Sequence, residues 1–184
     1  MAKFNNKYRI ESARLENWDY SQAAAYFITI CTANREYFFG TVQNNAMVYS
    51  DIGTIVTQEW VKTPQIRPDM NLDLGEFMVM PDHFHGIIFI GNNDFNSNIR
   101  RGAMHGASTD GIYKNEFGPQ SKNLSSIIRG FKSAVTVQAK KINPDFGWQA
   151  RFHDSIIRNQ RSYDTISQYI IDNPKKWGKD EFHK

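Results

Sequence analysis

Two long apolar runs, Leu72 to Met80 and His83 to Ile90, are separated by nothing but Pro81-Asp82. A two-residue connection cannot carry a parallel crossover, so the runs must fold back on each other as an antiparallel pair. In Phe77-Met78-Val79-Met80 both alternating sets of side chains are apolar, which predicts a strand buried on both faces. The other segments fit around that pair. Ala25 to Thr32 is β-branched and aromatic and reads as a central strand, and Phe38 to Val42 and Ala46 to Tyr49, on either side of Asn44-Asn45, read as a short hairpin. Asp51 is placed to cap a helix carrying Ile52, Ile55, Val56, Trp60 and Val61, stopped by Pro64 and Pro68. Asn123 is placed to cap a second helix with Leu124, Ile127, Ile128, Phe131, Ala134 and Val135, ended by Asn143-Pro144. Trp148 to Ile157 suits an edge strand. A last helix opens at Ser162 or Tyr163 and runs through Ile166, Tyr169 and Ile170. Asn173-Pro174 closes it, since the residue before proline is biased away from helical geometry. This order predicts an α+β domain, an antiparallel sheet with helices packed on it.

With 184 residues, 40% of them hydrophobic, the chain suits one domain with a real core. We place that domain at 20–178, between an amino-terminal extension, 1–19, and a tail, 179–184. The glycine-rich polar stretch at 92–122 reads as a mobile insertion. A single cysteine, Cys31, excludes a disulfide framework and a cysteine-rich zinc site. No window approaches the ~20 apolar residues of a membrane span, and no signal-type apolar stretch opens the chain. A cytoplasmic protein with no membrane partner is expected, nucleoid-associated when bound to DNA. The net charge of +3 conceals an asymmetry: residues 1–120 carry 10 basic and 13 acidic side chains, and residues 121–184 carry 12 and 6. Segregation of that kind suits a nucleic-acid surface, or equally a pair of solvated helix faces.

The chemistry concentrates in Pro81-Asp82-His83-Phe84-His85-Gly86. On a strand His83 and His85 share one face, where two neutral imidazoles can bind one divalent ion, while Phe84 anchors the other face and Gly86 admits a close neighbour. Alone, His-x-His is a weak signal, and a third ligand is needed. Cys31 is distant in sequence and His105, His153 and His183 form no zinc pattern, so an oxygen ligand and Mg²⁺ or Mn²⁺ are the better expectation. Tyr169 and Asn173, four apart, share a face of the last helix: a hydroxyl nucleophile beside an amide oxygen. Packing between Ile166 and Ile170 is the competing role for Tyr169. Tyr163 is the rival nucleophile, but it lacks a ligand-type residue four positions on. Arg129, Lys132, Lys140, Lys141 and Arg151 are candidate phosphate contacts, and Trp148 is either a stacking platform or a core residue.

These segments resemble one family. Pro81-Asp82-His83-Phe84-His85-Gly86-Ile87 looks like the HUH motif of the single-tyrosine HUH transposases, and the rest is most similar to their REP-associated tyrosine transposase branch. Ile128 to Val135 resembles that group's central helix. Trp148 to Asn159 resembles its Trp-Gln-x-x-aromatic-x-Asp/Glu-x-x-Ile-Arg strand. Tyr169-Ile170-Ile171-Asp172-Asn173-Pro174 matches its Tyr-Ile-x-x-Asn-Pro signature. The resemblance implies a ferredoxin-like HUH endonuclease palm acting on single-stranded or hairpin DNA as a metal-dependent endonuclease and strand transferase. Tyr169 would be the nucleophile, leaving a 5′-phosphotyrosine and a free 3′-hydroxyl, and His83, His85 and Asn173 would hold Mg²⁺ or Mn²⁺. A non-catalytic hairpin-DNA-binding protein that kept the fold is the alternative. The resemblance leaves open a homodimer that completes each site with its partner's tyrosine helix, or a monomer.

Overall fold

The computed structural model describes residues 3–4, 7–8, 15, 18–97 and 121–179. Within them the chain forms β1 (Lys3–Phe4), β2 (Lys7–Tyr8), β3 (Ala24–Cys31), β4 (Gly40–Gln43), β5 (Ala46–Tyr49) and α1 (Asp51–Ile66). Then come β6 (Leu72–Met80), β7 (His83–Ile90), α2 (Leu124–Ile142), β8 (His153–Ile157) and α3 (Gln160–Lys176). The expected strand pair is present with the expected bounds. It forms half of a four-stranded antiparallel sheet ordered β6-β7-β3-β8. The fold is α+β, as the element order predicts.

The pleat sorts side chains onto two covered faces. Tyr26, Ile28 and Ile30 of β3, with Val79, Phe84 and Ile88, join Val56 and Trp60 of α1 and Ile127, Phe131 and Val135 of α2 in the main core. Phe27, Ile87 and Phe89 point the other way, where Ile157 and the α3 residues Ile166 and Ile170 cover them. This explains why β7 is apolar almost throughout: β6 and β3 flank it and helices cover both its faces. Gly86 is on the main-core side. A Cβ there would lie 2.8 Å from Cζ of Phe84 and 3.0 Å from Cζ2 of Trp60, so the close neighbours that Gly86 admits are the Phe84 ring and the Trp60 indole.

Several boundaries differ from the sequence expectation, each for a local reason. Ser50, not Asp51, caps α1: its Oγ accepts the Gly53 N–H at 3.0 Å, and Asp51 sits in the first turn facing the helix dipole. Pro64 lies inside the last turn of α1, where one N–H is forgone and the helix runs on to Ile66. Asn159 caps α3 by accepting the Ser162 N–H at 2.8 Å, so that helix opens at Gln160 rather than at Ser162 or Tyr163. Nor does Asn173-Pro174 close it. Both residues are buried within α3, which continues to Lys176, and packing outweighs the local bias against helix before proline. The expected strand from Trp148 shrinks to a single bridge, Thr32 to Trp148, followed by β8. Asn123 does cap α2, in a reciprocal box with Ser126.

Trp18 and Asp19 already pack with the domain, Trp18 Nε1 donating to the Tyr26 hydroxyl at 3.2 Å. Of the stretch read as an insertion, residues 98–120 lie outside the described residues. Its start is tied down: Asn96 Nδ2 donates to the carbonyls of Ser21 and Gly91, and Phe95 packs on the core. Most of residues 1–17 and residues 180–184 also lie outside the described residues.

Candidate active site

β7 begins directly after the Pro81-Asp82 turn, so its first two outward positions are fixed by the sheet register. His83 sits between Met80 of β6 and Cys31 of β3, and His85 between Met78 and Thr29. The two imidazoles are 4.5 Å apart between ring centroids and each is 5% exposed. Each ring is held through Nδ1. Asp82 Oδ1 lies 2.6 Å from Nδ1 of His83, and Thr29 Oγ1 lies 2.8 Å from Nδ1 of His85. Burial, the neighbouring His83 and the charge of Arg35 together push the pKa of His85 well below 6.5, so its ring is neutral at pH 7 and keeps a lone pair.

α3 crosses the same face of the sheet and brings the tyrosine. The Tyr169 hydroxyl lies 3.3 Å from Nε2 of His85, and its ring stands edge-on to Phe27 with centroids 6.2 Å apart. Tyr169 is 36% exposed, so its side chain borders solvent while its hydroxyl is turned to His85. Packing and chemistry do not exclude each other here. The ring leans on Phe27 and His85, and the oxygen lies within hydrogen-bond reach of His85 Nε2. Tyr163 faces Phe89, with centroids 5.9 Å apart, as one of the side chains packed against the Ile87, Ile157 and Ile170 cluster. It takes no part in this constellation.

Asn173, one turn beyond Tyr169, is 1% exposed, and neither Oδ1 nor Nδ2 has a hydrogen-bond partner. An orphaned buried amide costs ~1–3 kcal/mol, a cost that a bound water or ion would offset. Trp60 Nε1, Ser125 Oγ and Ser167 Oγ are also unpartnered, but each is a single atom. Among the described residues no three His, Cys, Asp or Glu side chains are grouped to hold a metal ion. The two imidazoles and the buried Asn173 amide oxygen are the donors that could hold an ion here, a set that would fit Mg²⁺ or Mn²⁺ better than a structural zinc.

Four contributors are not evident in the sequence. Arg35 Nε reaches Asp82 Oδ2 at 2.8 Å, and Arg35 Nη1 donates to Cys31 Sγ at 2.9 Å. Cys31, far from the histidines in sequence, is thus opposite His83 in the sheet. Trp177 tilts over His83 with ring centroids 5.8 Å apart, and Tyr37 stands edge-on to Trp177 at the same separation. The alternation of Thr29 with Cys31 on a strand was the available signal, but only the register reveals what they face.

The basic residues expected to meet DNA divide. α2 packs on the face of Phe84, opposite the histidines, so Arg129, Lys140 and Lys141 project from the far side of the molecule and are exposed. Arg129 lines an open cavity of about 390 Å³ there with Arg67 and Lys122. Lys132 is committed internally: Nζ donates to the Gln149 carbonyl at 2.6 Å, and burial lowers its pKa. Arg151 is exposed near β8. Trp148 is a core residue, packed on Phe39 and Phe146 with Nε1 donating to the Lys132 carbonyl. His153, exposed on β8, pairs with Thr29 and shares the site face without joining the cluster.

Among the described residues no helix is long and apolar enough to cross a membrane. No protein-family model matches the chain. A curated relative, an uncharacterized protein of Haemophilus influenzae, is 35% identical over 178 residues, covering 94% of this chain and 92% of that protein. Among solved structures, a REP-associated tyrosine transposase bound to a REP hairpin aligns with a TM-score of 0.54 at 19% identity. The alignment covers 92% of this chain and 75% of that one. At that identity the likeness is one of fold, and the fold is that of the HUH transposases.

Proposed function

This chain belongs to the same protein family as the Haemophilus influenzae relative, and we propose that it is a metal-dependent endonuclease and strand transferase for single-stranded, hairpin-forming DNA. The observation that carries this reading is the meeting of Tyr169 with His85 at 3.3 Å, one helix turn from the orphaned amide of Asn173. A histidine pair without a nucleophile would suit a hydrolase using water. A tyrosine that borders solvent, with its oxygen against the pair, suits covalent transfer instead.

The Tyr169 oxygen attacks a backbone phosphorus in line with the departing 3′-oxygen. The new O–P bond forms as the P–O3′ bond breaks, leaving a 5′-phosphotyrosine. The phenolic proton passes to solvent, and the leaving 3′-oxygen takes up a proton from water. Reversal, with a free 3′-hydroxyl attacking the phosphotyrosine, rejoins strands without an external energy source. A divalent Mg²⁺ or Mn²⁺ on His83, His85 and Asn173 would polarise the phosphate and favour the phenolate. His85 Nε2, next to the hydroxyl, cannot both hold that ion and accept the phenolic proton. With the ion bound it would therefore serve as ligand rather than base. The exposed Arg129, Lys140, Lys141 and Arg151 supply charge for the DNA backbone, and the hairpin in the structural neighbour supports a hairpin as the substrate.

The experiment is a denaturation-resistant adduct assay with a labelled hairpin carrying a single-stranded flank, in Mn²⁺. Wild type and Tyr163→Phe form the adduct, and Tyr169→Phe does not, while its fold and DNA binding persist. Adduct surviving in Tyr169→Phe and lost in Tyr163→Phe would reverse the assignment. Cleavage without any adduct would point to a phosphodiesterase that uses water.

A further inference from the structure

We infer that Asp82 is a positioning residue that locks His83 in its Nδ1–H tautomer, and that Arg35 is the counter-charge that commits the Asp82 carboxylate to that task; the inference rests on reading His83 as a metal ligand. Asp82 is 2% exposed and divides its oxygens between two partners: Oδ1 lies 2.6 Å from His83 Nδ1 and Oδ2 2.8 Å from Arg35 Nε. A carboxylate with a guanidinium on one oxygen can only accept at the other. Nδ1 of His83 must therefore carry a hydrogen, and in the neutral tautomer with that hydrogen the lone pair is on Nε2, the nitrogen available to a ligand. A carboxylate behind a ligating imidazole both orients the ring and raises its basicity.

The fold invests in this arrangement. Arg35 follows Asn34 in a short turn where both residues are left-handed, with φ of 60° and 54°. An arginine rarely adopts that conformation without a compensating contact. Its guanidinium is anchored twice, on Asp82 and on Cys31 Sγ. Thr32, at the start of the same turn, donates its backbone N–H to the Asp82 carbonyl at 2.9 Å, and its hydroxyl is shared between the Glu36 and Asp82 carbonyls at 2.8 and 2.9 Å. The turn and the carboxylate are thus fastened to each other through main chain and side chain alike.

The test is Asp82→Asn, followed through the ring nitrogens of His83 by long-range ¹H–¹⁵N spectroscopy on the metal-free protein. An amide offers one acceptor and one donor. The charged Arg35 N–H claims the oxygen, so the NH₂ turns to His83 and favours the Nε2–H tautomer. Wild type should show Nδ1–H and Asp82→Asn chiefly Nε2–H. Adding Arg35→Met frees the amide to rotate and should restore Nδ1–H, and this double variant buries no unpaired charge, so it keeps the test alive if the single variant folds poorly. Mn²⁺ affinity, measured separately by electron paramagnetic resonance of the free ion, should fall ~10–100-fold in Asp82→Asn and recover in part in the double variant. An unchanged His83 tautomer in Asp82→Asn, or no recovery in the double variant, would overturn the inference. A wild type that shows the expected tautomers but binds no Mn²⁺ would sustain the relay and refute the metal reading on its own.

Discussion

Asn173 is the residue at which folding and the proposed function pull hardest against each other. Its amide is buried with neither polar atom satisfied, an arrangement that a chain selected for stability alone would discard. Replacing it by leucine removes the orphaned groups, so Asn173→Leu should leave metal-free stability unchanged or raise it by ~1 kcal/mol in urea unfolding, while adduct formation is lost. A loss of 2 kcal/mol or more would instead make Asn173 a structural residue. At this scale the sequence was informative wherever a side chain's placement depended on spacing along one element. His83 with His85, and Tyr169 with Asn173, are both of that kind. It was silent where the role depended on register. Nothing local to Asn34-Arg35 says that the guanidinium ends on Asp82, nearly fifty residues away, and nothing local to Lys132 says that its ammonium is spent on the Gln149 carbonyl.

Among the elements, β7 is the one on which the others depend. It carries the histidines outward on one face and seals the main core on the other through Phe84, with Gly86 making room for the Trp60 indole. Gly86→Ala should overpack that contact and destabilise the domain by ~1–3 kcal/mol, read as a lower urea midpoint at unchanged m. No change in midpoint would mean that Trp60 can move aside. Strands were legible in sequence because period-two patterning and the short Pro81-Asp82 link leave few alternatives. Helix ends were less so. Ser50 caps where Asp51 was expected, and Asn159 caps a helix that was expected to open at Ser162 or Tyr163, because several residues in each stretch are competent caps and tertiary packing chooses among them. The persistence of α3 through Pro174 has the same origin, since burying Asn173 and Pro174 outweighs a local bias.

For the molecule as a whole, the sheet is a partition. α1 and α2 seal one face with most of the aromatic core, and α3 covers the other only in part, leaving the reactive end of β7 beneath Tyr169. Composition announced the core and the charge segregation, but not that Arg129, Lys140 and Lys141 would emerge on the side away from the histidines. That division depends on which face α2 covers, a long-range choice. A substrate meeting both surfaces must wrap around the edge of the sheet, which a hairpin with a flexible flank can do. The end of α3 has one more use. Trp177 overhangs His83, whereas Trp60 lies in the main core and Trp18 and Trp148 pack against it, so among the described residues one of the four indoles is stationed over the histidines. The protein thereby carries its own optical gauge. Titration with paramagnetic Mn²⁺ should quench part of the tryptophan emission, Mg²⁺ should compete that quenching away, and Trp177→Phe should be blind to both. Equal quenching in the Trp177 variant would place the ion elsewhere, so a fluorimeter can report whether the site is filled before any DNA is added.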